Sequence, residues 1–257
     1  MIEASGINYK IGSKVILKNI DLKINDGEAV GLIGAPGCGK TVLMKILSDR
    51  IKNSDAYISI EESDTRLLKK NQIIKMISYF SRTIPENQDD SVFNFILSAR
   101  LPWRKPLSPF SETDRSIAEE TMANLNLKDF KDLKLSEISD SILLKTMIAR
   151  AFAKLSGLMI LDEPIAGLDI ASQMDLAKSI SKYLINGKRC VLISSHDINF
   201  ICRTADRIYI MENGEISLEI SPYDLSAKII KRYFNAEAII SKNIYNGKPE
   251  MHLFPES

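Results

Sequence analysis

Ala29-Val30-Gly31-Leu32-Ile33-Gly34-Ala35-Pro36-Gly37-Cys38-Gly39-Lys40-Thr41-Val42-Leu43-Met44-Lys45-Ile46-Leu47 decides how this chain folds. Residues 29–33 are an unbroken apolar run, the mark of a strand buried on both faces. Residues 42–47 are apolar and helix-compatible. Between them lies G-x-x-x-x-G-K-T, from Gly34 to Thr41. A strand, a glycine-rich turn and a helix in this order build an anion cradle. Glycines let successive backbone N–H groups turn inward, and the helix start adds the positive end of its dipole. Gly34, Gly37, Cys38, Gly39 and Val42 frame the cradle. Lys40 is placed to reach the β- and γ-phosphates of a nucleotide, and the Thr41 hydroxyl to ligand Mg²⁺.

The 257 residues suffice for one large α/β domain or a domain with an insertion. There are 34 basic and 33 acidic residues, a net charge of +1 that argues against broad nucleic-acid binding. No apolar run approaches the roughly 20 residues that span a bilayer. Residues 1–5 lack the charged and apolar regions of a secretory signal. Cys38, Cys190 and Cys202 show no metal or redox spacing and fit a reducing cytosol.

Strand patterns flank the loop on both sides. Ile7–Ile11, Val15–Leu17 and Ile20–Ile24 read as short strands, followed by the turn Asn25-Asp26-Gly27. Tyr57–Ile60 and Ile77–Phe80 continue the series. Residues ~82–150 change character. Helical patterns at Val92–Ala99, Thr113–Leu125 and Ile142–Ala153 surround a turn-rich stretch, Leu101–Pro106. Strand and helix then alternate: Gly157–Leu161, Ala171–Leu184, Arg189–Ile193, Asp197–Cys202 and Arg207–Met211, with an Asn213-Gly214 hairpin turn. This implies a mostly parallel sheet covered by helices, with a helical insertion. After ~235 only weak strand patterns remain.

A second constellation sits in the later half. Leu158-Met159-Ile160-Leu161-Asp162-Glu163 is an apolar strand ending in two carboxylates. Beside a phosphate loop, Asp162 can hold Mg²⁺ through water and Glu163 can activate the attacking water. Gly167-Leu168-Asp169 adds an acidic turn. His196 follows the strand that ends at Ser194-Ser195, at the sheet edge where such folds bind ligands, and can donate a hydrogen bond to a γ-phosphate.

In this order the motifs resemble the ATP-binding subunit of ABC transporters over residues 1–235. The fold implied is a P-loop NTPase core of α/β class, with N-terminal antiparallel strands and an inserted helical subdomain at about 82–150. Residues 236–257 form a C-terminal extension. Gly34–Thr41 looks like Walker A, Leu158–Glu163 like Walker B with its catalytic glutamate, Gly167–Asp169 like the D-loop and His196 like the switch histidine. Tyr9 stands where the family stacks an aromatic on adenine. Ala99-Arg100-Leu101-Pro102-Trp103 looks like the G-R-x-P-W stretch of importers for ferric siderophores, haem and cobalamin. Ser221–Leu225, Tyr233–Ala238 and Gly247–Pro249 are similar to the ending of that subfamily.

Two family motifs depart from pattern. The signature L-S-G-G-Q falls on Ile138-Ser139-Asp140-Ser141-Ile142. Asp140 brings negative charge where the family's loop meets a γ-phosphate on the opposite subunit. At ~6 Å and an effective dielectric near 20, one like-charge pair costs on the order of 3 kcal/mol. The Q-loop glutamine is replaced by Arg82, which has donors but no acceptor for Mg²⁺. Gln88 is a weaker substitute, six residues on.

The resemblance implies an ATPase at the cytoplasmic face of the cell membrane, with ATP and Mg²⁺ as cofactors. It implies a head-to-tail homo- or heterodimer, permease partners and, indirectly, a substrate-binding protein. The expected cargo is a metal chelate. A weakly active or regulatory subunit is the alternative that Asp140 and Arg82 favour.

Overall fold

The computed structural model describes residues 1–53, 56–185, 187–244 and 247–254. A first, antiparallel sheet holds β1 (Ile2–Ile11), β2 (Lys14–Ile24), β4 (Tyr57–Ile60) and β5 (Ser63–Asp64), in the order β2-β1-β4-β5. A second sheet has six strands in the order β10-β9-β3-β8-β7-β6. Its members are β3 (Ala29–Gly34), β6 (Ile77–Phe80), β7 (Leu158–Asp162), β8 (Cys190–Ser194), β9 (Arg207–Glu212) and β10 (Glu215–Ile220). Neighbours pair in parallel except β9 with β10, which turn back at Asn213-Gly214.

The central strands β3, β7 and β8 are buried along their whole length and almost entirely apolar because both faces of the sheet are covered there, whereas the edge strand β10 alternates exposed and half-buried residues. Successive side chains point to opposite faces, so each strand divides its residues between two cores. Val30, Leu32, Leu158, Ile160 and Leu192 enter one core, with the antiparallel sheet and α1 (Lys40–Leu47). Ala29, Ile33, Met159, Leu161, Val191 and Ile193 enter the other. That second core is closed by α3 (Val92–Leu97), α4 (Glu112–Asn124), α5 (Asp140–Ala153), α6 (Ile170–Leu184), α7 (Ile198–Thr204) and α8 (Ala227–Phe234).

Between β6 and β7 the chain is largely helical, made of α3, a 3₁₀ segment over Ser98–Trp103, α4 and α5. The first half of the turn-rich stretch, Leu101–Trp103, therefore lies in the 3₁₀ segment. Arg100 explains why these residues stay compact. It is buried, its Nε donates to Asp114 Oδ1 at 2.9 Å, and its Nη1 donates to the Lys154 carbonyl at 2.9 Å. Its guanidinium also lies over the Trp103 ring, 4.3 Å from the centroid. Burial alone would raise the Asp114 carboxyl, but hydrogen bonds from Ser111 and Arg100 outweigh it and hold the group below the usual range. The Arg100–Trp103 stretch thus ties α4 to the end of α5.

Three patterns differ from expectation. The short strands at the N-terminus are two long ones, β1 and β2, whose pairing shifts register between Ala4 and Ile7 and again around Tyr9. Gly6 and Asn19 take positive φ at these irregularities. A short helix, α2 (Lys70–Met76), buries only Ile73 and so left little periodic signal. The weak strand patterns after residue 235 form a hairpin, β11 (Glu237–Lys242) with β12 (Pro249–Phe254). It docks on α7, where the Asn199 side chain donates to the Met251 carbonyl (2.9 Å) and accepts from the Met251 N–H (2.7 Å).

Candidate nucleotide site

Among the described residues no helix is long and apolar enough to cross a membrane. The chemistry gathers at the C-terminal edge of the parallel strands. β3 delivers the glycine loop there, with β8 and β9 paired on its two sides. Gly34 has φ 152, and a Cβ on it would come within 2.3 Å of the Met211 carbonyl oxygen. Gly39 takes φ 111 at the start of α1, with the Leu17 side chain where a Cβ would go. No side chain caps α1, so its first N–H groups stay available as donors. Gly37 faces open space.

Lys40 is buried, and its Nζ donates to the carbonyls of Gly34 (2.8 Å) and Ala35 (3.3 Å), with Cys38 Sγ at 3.9 Å. Cys38 is itself buried, and half-buried Val42 packs on the core below. Thr41 Oγ1 donates to Asp162 Oδ1 at 3.3 Å, so the loop and the acidic strand end meet. Half-buried Tyr9 pairs across β1 and β2 with Leu17, the residue lying over Gly39. That sets it one strand away from the loop.

Asp162 ends β7 directly opposite Ser194 of β8. Ser194 Oγ donates to Asp162 Oδ1 (2.8 Å) and accepts from the Glu163 N–H (3.0 Å). The Tyr79 hydroxyl donates to Asp162 Oδ2 at 3.2 Å. Burial, then the Asp162 charge, push the Tyr79 phenol well above its ordinary value, so it remains a donor. Glu163 turns away from the strand at φ 50. Its Oε2 accepts from the His196 N–H at 3.2 Å, and the His196 Nε2 lies 3.4 Å from Oε1. Glu163 Oε1 is buried and receives no hydrogen bond from the described residues.

Sequence reading did not single out Ser194 or Tyr79. Both are hydroxyls on strands beside β7, and only strand order and register bring them to Asp162. The signal for Ser194 was its place at the end of a strand just before His196.

The remaining candidates lie around this centre. Ser139 caps α5, its Oγ accepting from the Ile142 N–H. Asp140 is exposed in the first turn, Ser141 follows half-buried, and Asp140 has no ion-pair partner among the described residues. An acid there complements the dipole of its own helix, which accounts for the residue locally. Asp169 caps α6 in the same way. The Ser172 N–H holds its carboxyl below the usual range. The Arg82 guanidinium rests on Gly167, with Nη2 3.4 Å from where a Cβ would stand. Gln88 lies elsewhere, its carbonyl bonded to the Ser136 N–H at 3.1 Å.

A cavity of about 790 Å³ opens between α2, β6 and the helices α3 and α5. Arg50, Lys70, Arg150 and Lys154 line it, with one acid, Asp49, which pairs with Lys52. Burial, then Arg150 and Arg50, push the Lys154 amine down to about 8.

A family profile described as ABC transporter matches residues 17–166. The chain belongs to the ABC transporter family. It is an ABC-type ATPase, and the family's importer ATP-binding subunits are its relatives. An uncharacterized ABC transporter ATP-binding protein of Methanocaldococcus jannaschii is 27% identical over 240 residues, 93% of each chain. A hemin import ATP-binding protein of Rhodopseudomonas palustris is 25% identical, covering 96% of this chain and 93% of the relative. A dimeric ATP-binding cassette bound to ADP and Pi shares the fold with TM-score 0.75 and 24% identity, over 86% of this chain and 98% of that one.

The cassette's residues fit MgATP on three counts. The uncapped start of α1 offers N–H donors, the Thr41 hydroxyl meets the Asp162 carboxylate, and Glu163 Oε1 is a buried acceptor without a donor. These are the needs of phosphate, metal-bound water and an attacking water.

Proposed function

We propose that the cassette binds MgATP at the loop–Asp162 edge and hydrolyses it to drive import of a metal chelate. The observation carrying this reading is the convergence of Lys40, Thr41, Asp162, Glu163 and His196 on one sheet edge. Lys40 exchanges the Gly34 and Ala35 carbonyls for the β- and γ-phosphate oxygens. Thr41 and Asp162 would hold Mg²⁺. When bound, Mg²⁺ neutralises charge developing on the transferred phosphoryl group. Glu163 takes the proton of the attacking water on Oε1, the oxygen that has no donor. His196, oriented by its backbone bond to Glu163, donates to the γ-phosphate. Tyr9 stacks on the adenine.

The cassette works as a dimer on the cytoplasmic side of the membrane with permease partners, fed by a substrate-binding protein. The basic cavity beside β6 suits an acidic segment of the permease, since Lys154 and Arg150 sit there without a carboxylate partner among the described residues. The metal-chelate cargo is supported by the Arg100–Trp103 stretch and by the hemin-import relative. A fold neighbour is described as a metal-chelate type transporter, with TM-score 0.78 and 19% identity over 100% of this chain and 97% of that one.

Glu163→Gln tests the chemistry. The amide keeps the shape but lacks the base. The variant is expected to bind MgATP at parental affinity and to lose hydrolysis by at least about a hundredfold. Hydrolysis at the parent rate would remove Glu163 from the role. A second reading, a nucleotide-binding subunit of low turnover within a heterodimer, is favoured by the unpaired Asp140 and by Arg82.

A further inference from the structure

Asp162 is buried, 7% exposed as a residue, and among the described residues no Lys or Arg pairs with its carboxylate. Hydroxyl donors therefore carry its charge. Ser194 and Thr41 both donate to Oδ1, at 2.8 and 3.3 Å. Oδ2 receives one hydrogen bond, from Tyr79 at 3.2 Å. The direction of Oδ2 thus depends on a residue 83 positions earlier in the chain, on the neighbouring strand.

Tyr79 is held by more than its hydroxyl. Its ring lines the basic cavity, and the Arg50 guanidinium lies over it, 4.7 Å from the centroid. Arg50 comes three residues after the end of α1, the helix that begins with Lys40 and Thr41. The ring is clamped between the far end of that helix and the acidic end of β7. Tyr79 thus lines the cavity and, through its hydroxyl, bonds the carboxylate.

We infer that Tyr79 is a positioning residue: it orients Asp162 for Mg²⁺ from the side of the basic cavity. Arg50 fixes the ring that does so. An anion entering the cavity therefore meets the cation that holds this ring. The inference rests on the ATP-site reading above and assigns a role that the loop and strand-end motifs do not contain.

The test is Tyr79→Phe, which keeps the ring and the Arg50 contact and removes only the hydroxyl. Affinity for a fluorescent ATP analogue is titrated with and without Mg²⁺ in parent and variant. Metal-free affinity is expected to hold within about twofold. The Mg²⁺ concentration that half-saturates the tighter binding is expected to rise about tenfold to a hundredfold, as loss of one hydrogen bond to a charged group predicts. In steady state kcat falls while KM for ATP holds. Arg50→Met, which leaves the hydroxyl in place, is expected to shift the Mg²⁺ midpoint the same way by a smaller factor. It carries the test alone if Tyr79→Phe does not fold. An unchanged Mg²⁺ midpoint overturns the inference. Equal loss of affinity with and without Mg²⁺ also overturns it, because that is general damage. A parent whose affinity ignores Mg²⁺ overturns the placing of Mg²⁺ at Asp162 and this inference with it, whereas a parent that binds no nucleotide overturns the ATP-site reading itself.

Discussion

Lys40 shows how one side chain serves two structures. Its ammonium is bonded to the carbonyls of its own loop, so it fixes the loop's shape as well as supplying charge. Lys40→Ala is expected to abolish ATP binding at micromolar nucleotide, and a titration measures it; unchanged affinity would sink the phosphate-loop assignment. Glu163 occupies the left-handed region at φ 50, a conformation costing on the order of 1 kcal/mol for a side chain of its kind. The Ser194 hydroxyl stabilises that turn through the Glu163 N–H. Lys40, Thr41, Asp162 and Glu163 could be singled out in the sequence because each lies in a short motif with fixed spacing, and His196 because it follows the end of a strand in a parallel sheet. Ser194 and Tyr79 could not be, because their partner is 32 and 83 residues away and only the sheet brings them to it. Arg100 illustrates the opposite case. Its motif was legible, yet its side chain faces inward to Asp114 and the end of α5.

Among the elements, the end of α5 has a measurable electrostatic cost. Lys154, just past that helix, donates to the Ile77 carbonyl of β6 at 2.7 Å while Arg150 and Arg50 stand near. Its amine falls from 10.5 to about 8, so between those values the folded chain binds fewer protons than the unfolded one. Stability must then rise with pH across that window. The expected gain, relative to Lys154→Met, is a few kcal/mol at most. Urea unfolding of both proteins at pH 7.5 and 10 checks it; parallel pH profiles would show that the amine is not strained. Acidic permease segments should bind this cavity more weakly as pH rises through 8, for the same reason. The central strands were readable from sequence because burial on both faces makes them continuously apolar. The first sheet was harder. Its strands are broken by bulges at Gly6 and Asn19, so two long strands looked like several short ones. α2 and the C-terminal hairpin bury few side chains, and periodicity fades where burial does.

At the scale of the molecule, the open question is the face shown to a second subunit. Asp140 suits its own helix; at the signature position that the resemblance assigns, it would offer a partner's γ-phosphate a negative charge. Asp140→Gly with Ser141→Gly is expected to weaken the start of α5 by about 1 kcal/mol. If Asp140 does face a partner's γ-phosphate, the variant should also relieve that repulsion. If closure limits turnover, steady-state ATPase at saturating MgATP should rise several-fold, and about 1.4 kcal/mol of recovered closure energy would give tenfold. A slow parent with no gain in the variant would move the defect to Arg82 or to a missing partner. The hairpin on α7 has a different consequence, one of timing. α7 starts two residues after His196, and its Asn199 has both amide atoms bonded to Met251. During synthesis the glycine loop, β7 and β8 leave the ribosome long before residue 251. The helix behind the histidine lacks its last strap until then, so this edge of the site is the last to set as the chain is made.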